Sequence, residues 1–225
     1  MTEGSLRWRD FLGRLVRLNV GLFLYALGSV LTMHAGLGYA PWELFHAGVG
    51  LVVGLSIGKV SILAGVAIGI LAALMGEKLG LGTILNMLLI GLFMDWILAL
   101  GWVPNAHGWP GGLALMAAGL FTIALGSYFY IGSGFGAGPR DSLMVCFRRR
   151  TGLAVGLCRG IIEGSAVLIG ALLGGRWGAG TLIAAVAIGF CVQITFRVLR
   201  FDPTLTRHET LGATWRLLAR GGQAA

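Results

Sequence analysis

Residues 21–29 read GLFLYALGS, and residues 119–127 read GLFTIALGS. The two stretches lie 98 residues apart, and the agreement extends outward from them at the same offset without a gap. Gly36, Gly38 and Pro41 meet Gly134, Gly136 and Pro139. Gly54, Leu55 and Gly58 meet Gly152, Leu153 and Gly156. Gly80, Gly82, Thr83 and Gly91 meet Gly178, Gly180, Thr181 and Gly189. From Gly21–Leu98 to Gly119–Phe196, 21 of 78 positions are identical. A chain this rich in Gly and Leu would reach roughly a tenth by chance. The chain is an internal duplication, and its fold has to house two copies of one unit.

Each copy is too apolar for water. Of the 225 residues, 56% are hydrophobic and only 12% are charged, where a soluble domain carries about 25%. Mean hydropathy is +0.85. The apolar runs are continuous and close to 20 residues long, which excludes a β-barrel with its alternating strands. Six runs are expected to cross the bilayer: Leu18–Met33, Ile57–Met75, Thr83–Leu100, Leu113–Ile131, Val155–Leu173 and Thr181–Leu199. A span needs about 20 residues to cross an apolar layer about 30 Å thick. Pro41–Val53 is apolar but too short, and reads as a re-entrant or interfacial helix.

The expected fold is therefore all-α: a polytopic membrane protein of six transmembrane helices. An amphipathic interfacial helix (1–17) precedes the first repeat (18–100), a linker loop (101–112) leads to the second repeat (113–200), and a cytoplasmic tail (201–225) follows. Three spans per copy is an odd number, so the second copy has to start from the opposite membrane face, and the repeats are expected to be inverted. The charges agree. Arg7, Arg9, Arg14, Arg17, Lys78, Arg140, Arg148, Arg149, Arg150, Arg159, Arg197, Arg200, Arg207, Arg216 and Arg220 fall on one side of a six-span chain. Only Lys59 and Arg176 fall on the other, so 15 of 17 basic residues share a face. By the positive-inside rule, both termini are expected to be cytoplasmic. The net charge of +8 reads as this bias and not as a nucleic-acid surface.

The blocks Gly36-Leu37-Gly38-Tyr39-Ala40-Pro41-Trp42-Glu43, Gly54-Leu55-Ser56-Ile57-Gly58 and Gly82-Thr83-Ile84-Leu85-Asn86, with Gly91 and Asp95 beyond, occur in that order. They resemble the motifs of the YczE/YyaS/YitT-like bacterial membrane proteins over roughly residues 18–200. Glu43 stands where that family usually has Asp. The resemblance implies a bacterial inner-membrane protein and brings no established substrate, cofactor or catalytic residue.

Polar groups within spans are costly and are the first candidates for function. Asp95 and its repeat partner Gln193 are candidate ion-binding groups, or interfacial residues reaching water. Arg159 and Glu163 are four apart and share a helical face, as a structural pair or as substrate ligands. Pro41-Trp42-Glu43 and Pro139-Arg140-Asp141 are equivalent helix starts, or mirrored gates using Trp42, Glu43, Arg140 and Asp141. Gly82-Thr83 and Gly180-Thr181 open spans three and six. Free N–H groups there would suit an anion, with Asn86 one turn on, although ordinary capping explains the same residues. His34, His46 and His107 match no metal-ligand spacing. Cys146, Cys158 and Cys191 form no C-x-x-C pair. The Gly-x-x-x-Gly pairs would serve close helix contacts, within one chain or between copies in a homo-oligomer.

Inverted repeats are a recurring design of secondary transporters. The leading expectation is a small transporter or exporter of an unidentified small solute, with the lipid bilayer as its surroundings and no cofactor. The alternative is a non-transporting membrane partner that binds lipid or supports another enzyme. No nucleophile, base or metal cluster points to an enzyme.

Overall fold

The computed structural model describes residues 3–77, 79–136, 138–203, 206, 209 and 211–212. Its helices in chain order are α1 (Glu3–His34), α2 (Pro41–Val53), α3 (Ile57–Leu74), α4 (Leu81–Leu100), α5 (Gly108–Gly132), α6 (Pro139–Thr151), α7 (Val155–Leu172) and α8 (Ala179–Val198). No strand occurs among the described residues. Adding 98 to both ends of α2, α3 and α4 gives both ends of α6, α7 and α8. Five helices (α1, α3, α4, α5 and α8) are long and apolar enough to cross a membrane among the described residues. α2 and α6, at 13 residues each, reach only about 20 Å.

The segment before the first span is not a separate helix. Glu3–His34 is continuous over 32 residues, because no proline interrupts it and its glycines are tolerated within a long helix. α5 likewise starts at Gly108, ahead of the apolar run expected from Leu113. In the tail, Arg207, Trp215, Arg216, Leu217, Leu218 and Arg220 lie outside the described residues, as does Lys78 of the α3–α4 connection.

The centre of the fold is the crossing of α1 and α5. A Cβ on Gly28 would lie 2.6 Å from the Gly119 carbonyl oxygen, and one on Gly126 would lie 2.7 Å from that of Gly21. Gly21 thus faces Gly126 and Gly28 faces Gly119, so the two helices run antiparallel. Under the 98-residue offset Gly21 becomes Gly119 and Gly28 becomes Gly126, so the contact maps onto itself. Side chains of zero size let the backbones touch, which is how helices gain packing energy where lipid removes the hydrophobic driving force. On its other face, α1 buries Leu18, Leu22, Ala26 and Val30 completely. This stripe at four-residue spacing packs with Ile90, Met94 and Ile97 of α4. α8 sits on α5 as α4 sits on α1, and α2 packs on α7 as α6 packs on α3.

The loops between these helices cross from one copy to the other. Gly82 N–H donates to the Phe135 carbonyl at 2.8 Å, and Gly180 N–H donates to that of Leu37 at 2.7 Å. Gly38 (φ 109°) and Gly136 (φ 122°) carry these loops through a region that L side chains avoid. There is no room for a side chain either: a Cβ on Gly38 would lie 2.5 Å from the Gly178 nitrogen. Each motif loop therefore caps the opening turn of a helix in the other copy.

The two ends of the bundle differ in charge. At one end, Arg14 bonds the Ser133 carbonyl and pairs with Glu209 at 2.5 Å, and Arg149 pairs with Glu77 at 2.8 Å. At the other, Tyr39 N–H bonds the Arg176 carbonyl and Ala106 N–H bonds that of His34. Exposed tryptophans gather there: Trp96, Trp102, Trp109 and Trp177. Between the ends the outer surface is apolar, with Leu63, Ile70, Leu92, Leu168, Leu182, Val186 and Phe190 all exposed. Such a band is solvated by lipid, with tryptophan at the headgroup level.

The crossing sets a clear expectation for stability. Gly28→Leu or Gly119→Leu forces α1 and α5 apart and costs about 1–3 kcal/mol or more, read as a lower melting temperature in detergent. Gly13→Ala, with open space around its Cβ, leaves the melting temperature unchanged or raised by the equivalent of up to about 1 kcal/mol.

Candidate functional site

A cavity of about 440 Å³ lies between the two copies, walled by every helix of the bundle. Four of its polar groups come from the opening turns of α2 and α6. Pro41 and Pro139 start these helices at their first positions. The following residues, Trp42 and Arg140, then project into the cavity and meet, the guanidinium 4.2 Å from the indole centroid. They are equivalent under the offset, so this contact lies where the two copies face each other. A guanidinium over an indole is a favourable pairing in a dry site.

Next in sequence come Glu43 and Asp141, also equivalent. Glu43 is buried and accepts a hydrogen bond from Ser29 Oγ at 2.7 Å. Asp141 accepts from the Tyr130 hydroxyl at 2.9 Å. Arg140 Nη1 donates to the Tyr25 hydroxyl at 3.4 Å. From α7, Arg159 Nε donates to Glu163 Oε1 at 2.9 Å. Asn86 of α4, His46 of α2, Ser61 of α3 and Ser127 of α5 complete the polar lining. His46 is 2% exposed, and its Nδ1 has no hydrogen-bond partner. The apolar wall includes Ile90, Leu120, Ile123, Ile162, Ile188 and Val192. The site can therefore hold a small molecule against an aromatic face, with two guanidinium groups and three carboxylates within reach.

Seven residues singled out from the sequence come together here: Trp42, Glu43, Asn86, Arg140, Asp141, Arg159 and Glu163. Asp95 and Gln193 do not line the cavity. Asp95 accepts from Gly58 N–H at 2.9 Å and from Ser56 Oγ at 2.5 Å, so it caps the start of α3. Gln193 is exposed on α8. Gly82, Thr83, Gly180 and Thr181 also stay outside. The N–H groups of Gly82 and Gly180 are bonded to carbonyls of the other copy, and the hydroxyls of Thr83 and Thr181 accept from Gly80 and Gly178 N–H at 3.2 Å. These helix starts are already satisfied and present no row of free donors.

Tyr25, Tyr130, Ser29 and the cavity-facing role of His46 were not legible in the sequence. The available signal was Tyr25, in the middle of the first span and away from the interfacial level where tyrosine usually sits; Tyr130, at the end of its span, gave none. Among the described residues, no group of three or more His, Cys, Asp or Glu side chains gathers as a metal site. The three cysteines are buried and free.

The Ser29–Glu43 bond yields a second expectation. Ser29→Ala leaves a buried carboxylate without its donor and costs about 1–3 kcal/mol, measured as a lower melting temperature in detergent at neutral pH. Pairing it with Glu43→Gln recovers part of that loss, since a neutral amide is cheaper to bury.

With this geometry in place, three related proteins are informative. The chain is 32% identical over 178 residues to an uncharacterized protein of Haemophilus influenzae, covering 79% of this chain and 81% of that one. It is 31% identical over 195 residues to the uncharacterized membrane protein YczE of Bacillus subtilis, covering 86% of each. A third relative, the uncharacterized protein YyaS of Bacillus subtilis, is 24% identical over 194 residues, covering 84% of this chain and 92% of that one. No solved structure matches the chain. Residues 12–197 match DUF6198, a family of unknown function, and the chain belongs to that family of YczE-like membrane proteins.

Proposed function

We propose that this protein is a small secondary transporter or exporter of a small solute, built as two inverted three-span repeats. In this reading α7 is the sixth span, both termini are cytoplasmic and the membrane is the bacterial inner membrane. The observation that carries it is the meeting of Trp42 and Arg140 in a polar cavity between the two copies. Transporters of inverted-repeat design bind substrate near the midplane, at the repeat interface, where short helices end. The self-matching crossing of Gly21 with Gly126 and Gly28 with Gly119 supports the inversion. The end-to-end charge asymmetry supports the orientation.

The reading is of a carrier and not an enzyme. The carboxylates of Glu43, Asp141 and Glu163 are each engaged by a neighbouring donor. In this reading they serve as binding groups for the solute. Arg140 and Arg159 are the groups able to take an acidic part of a solute, and Trp42 offers a flat face to an apolar or ring-bearing part.

The test is ligand-dependent stabilisation followed by flux. Purified protein is heated against metabolites, amines and vitamins, because a ligand that binds only the folded state raises the melting temperature. A hit is then assayed in proteoliposomes. Arg140→Ala and Glu163→Gln are expected to lower uptake by at least tenfold and to remove the thermal shift, while the protein still elutes as a folded species. Flux no greater than in empty liposomes, together with co-purification of one stable partner, would favour the accessory-protein reading instead.

A further inference from the structure

The two copies match each other in every helix packing except one. α3 lies against α4, but α7 and α8 scarcely meet. At the α3–α4 seam, a Cβ on Gly91 would lie 2.7 Å from Ile62 Cγ1 and would overlap the Gly58 carbonyl. Asp95 locks this seam by accepting from Ser56 and Gly58. Its equivalents in the second copy are Gly156 against Gly189, and Gln193 against Ala154 and Gly156. There, Gly156, Gly160, Gly164 and Gly189 have nothing within 4 Å of a Cβ. Arg159 and Glu163 of α7 and Ile188, Val192 and Phe196 of α8 all line the cavity. The cavity is thus bounded by two helices that do not close on each other.

The unused seam still has the shape of a contact. Gly156 and Gly189 keep the pair that lets α3 and α4 touch. Where Gly65 accommodates Met87 across the closed seam, at 3.3 Å from a Cβ to the Met87 Cα, the second copy carries Glu163 and Ala185 at the equivalent positions. Large and small have exchanged places, and the summed volume remains suited to packing. The lock, however, is weaker. Gln193 is neutral where Asp95 is a carboxylate, and Ala154 has no hydroxyl where Ser56 has one.

We propose that the α3–α4 and α7–α8 seams are alternating gates, and that this structure is the state with the α7–α8 gate open. In the other state α7 closes on α8 through Gly156 and Gly189, while the Asp95 lock releases α3 from α4. The difference between Asp95–Ser56 and Gln193–Ala154 sets the resting preference for the open α7–α8 seam. Asp95 is then a positioning residue of the gate and not a substrate ligand. The inference rests on the inverted-repeat reading, but it needs no substrate to be tested.

The experiment uses single cysteines in a background carrying Cys146→Ala, Cys158→Ala and Cys191→Ala. Gly160→Cys reports the α7–α8 seam and Ile62→Cys reports the α3–α4 seam, each by its rate of maleimide labelling in native membrane vesicles. Ala154→Ser with Gln193→Asp installs the lock on the second seam. It is expected to slow labelling at Gly160→Cys about fivefold, the weight of one ordinary hydrogen bond, and to speed labelling at Ile62→Cys. Asp95→Asn with Ser56→Ala is expected to shift both rates in the same directions. Rates unchanged by both pairs, or rising together, would overturn the proposal. So would cross-linking of Gly160→Cys between two chains, which would make the seam a contact between copies. Reciprocal rates in a protein that moves no solute would leave the gates standing and remove only the transport reading.

Discussion

Everything in this fold hangs on the close approach of α1 and α5. Four glycines, Gly21, Gly28, Gly119 and Gly126, bring the two backbones into contact at two points. In lipid, apolar side chains gain little by leaving their surroundings, so a helix pair is held by the fit of its surfaces and by weak contacts between backbones. A side chain at any of these positions would separate the helices. Because each glycine meets the equivalent of its own neighbour one repeat away, one requirement is met twice by the same sequence. The placing of α4 on α1 and of α8 on α5 follows from that axis.

The motif loops add the second constraint. A helix start buried in protein leaves N–H groups that no water satisfies. Here the loop of one copy supplies a carbonyl to the opening turn of a helix in the other: Phe135 to Gly82 and Leu37 to Gly180. The glycines at 38 and 136 permit that approach by having no Cβ and by adopting positive φ. The repeated Gly-rich blocks are thus the joints that tie the copies to each other, and a copy alone would leave these helix starts uncapped.

Against this paired scaffold the polar cavity stands out as asymmetric. Its centre pairs Trp42 with Arg140, equivalent positions that carry unlike side chains. Tyr25 and Tyr130 face the cavity, while their equivalents, Ile123 and Thr32, are of other kinds. Arg159 and Glu163 replace Ser61 and Gly65. Charge inside a membrane protein is costly and persists where it is paired or used. The duplicated frame supplies the shape of the cavity, and the positions that break its symmetry supply much of its charge.

Much of this was legible in the chain before any coordinate. The offset of 98 residues located α2, α3 and α4 and their counterparts, because glycine and proline mark the ends of helices by backbone geometry alone. Hydropathy placed the long apolar helices, because a span is a matter of length and transfer energy. Pro41-Trp42-Glu43 and Pro139-Arg140-Asp141 were readable as equivalent helix starts, and the Arg159/Glu163 pair follows from helical spacing. What sequence could not decide was which distant surfaces meet. Asp95 was readable as an ion-binding group or as an interfacial residue, and its capping of α3 is decided only by the tertiary packing that brings Ser56 and Gly58 to it. Gly82-Thr83 was open to an anion site or to ordinary capping, and only the fold shows that the cap comes from the other copy. Tyr25, Tyr130 and His46 joined the site through the crossing of helices far apart in the chain. Local rules of backbone and burial act within a few turns and leave their mark on the sequence, whereas a cavity is defined by the relative placement of eight helices, which no single segment encodes.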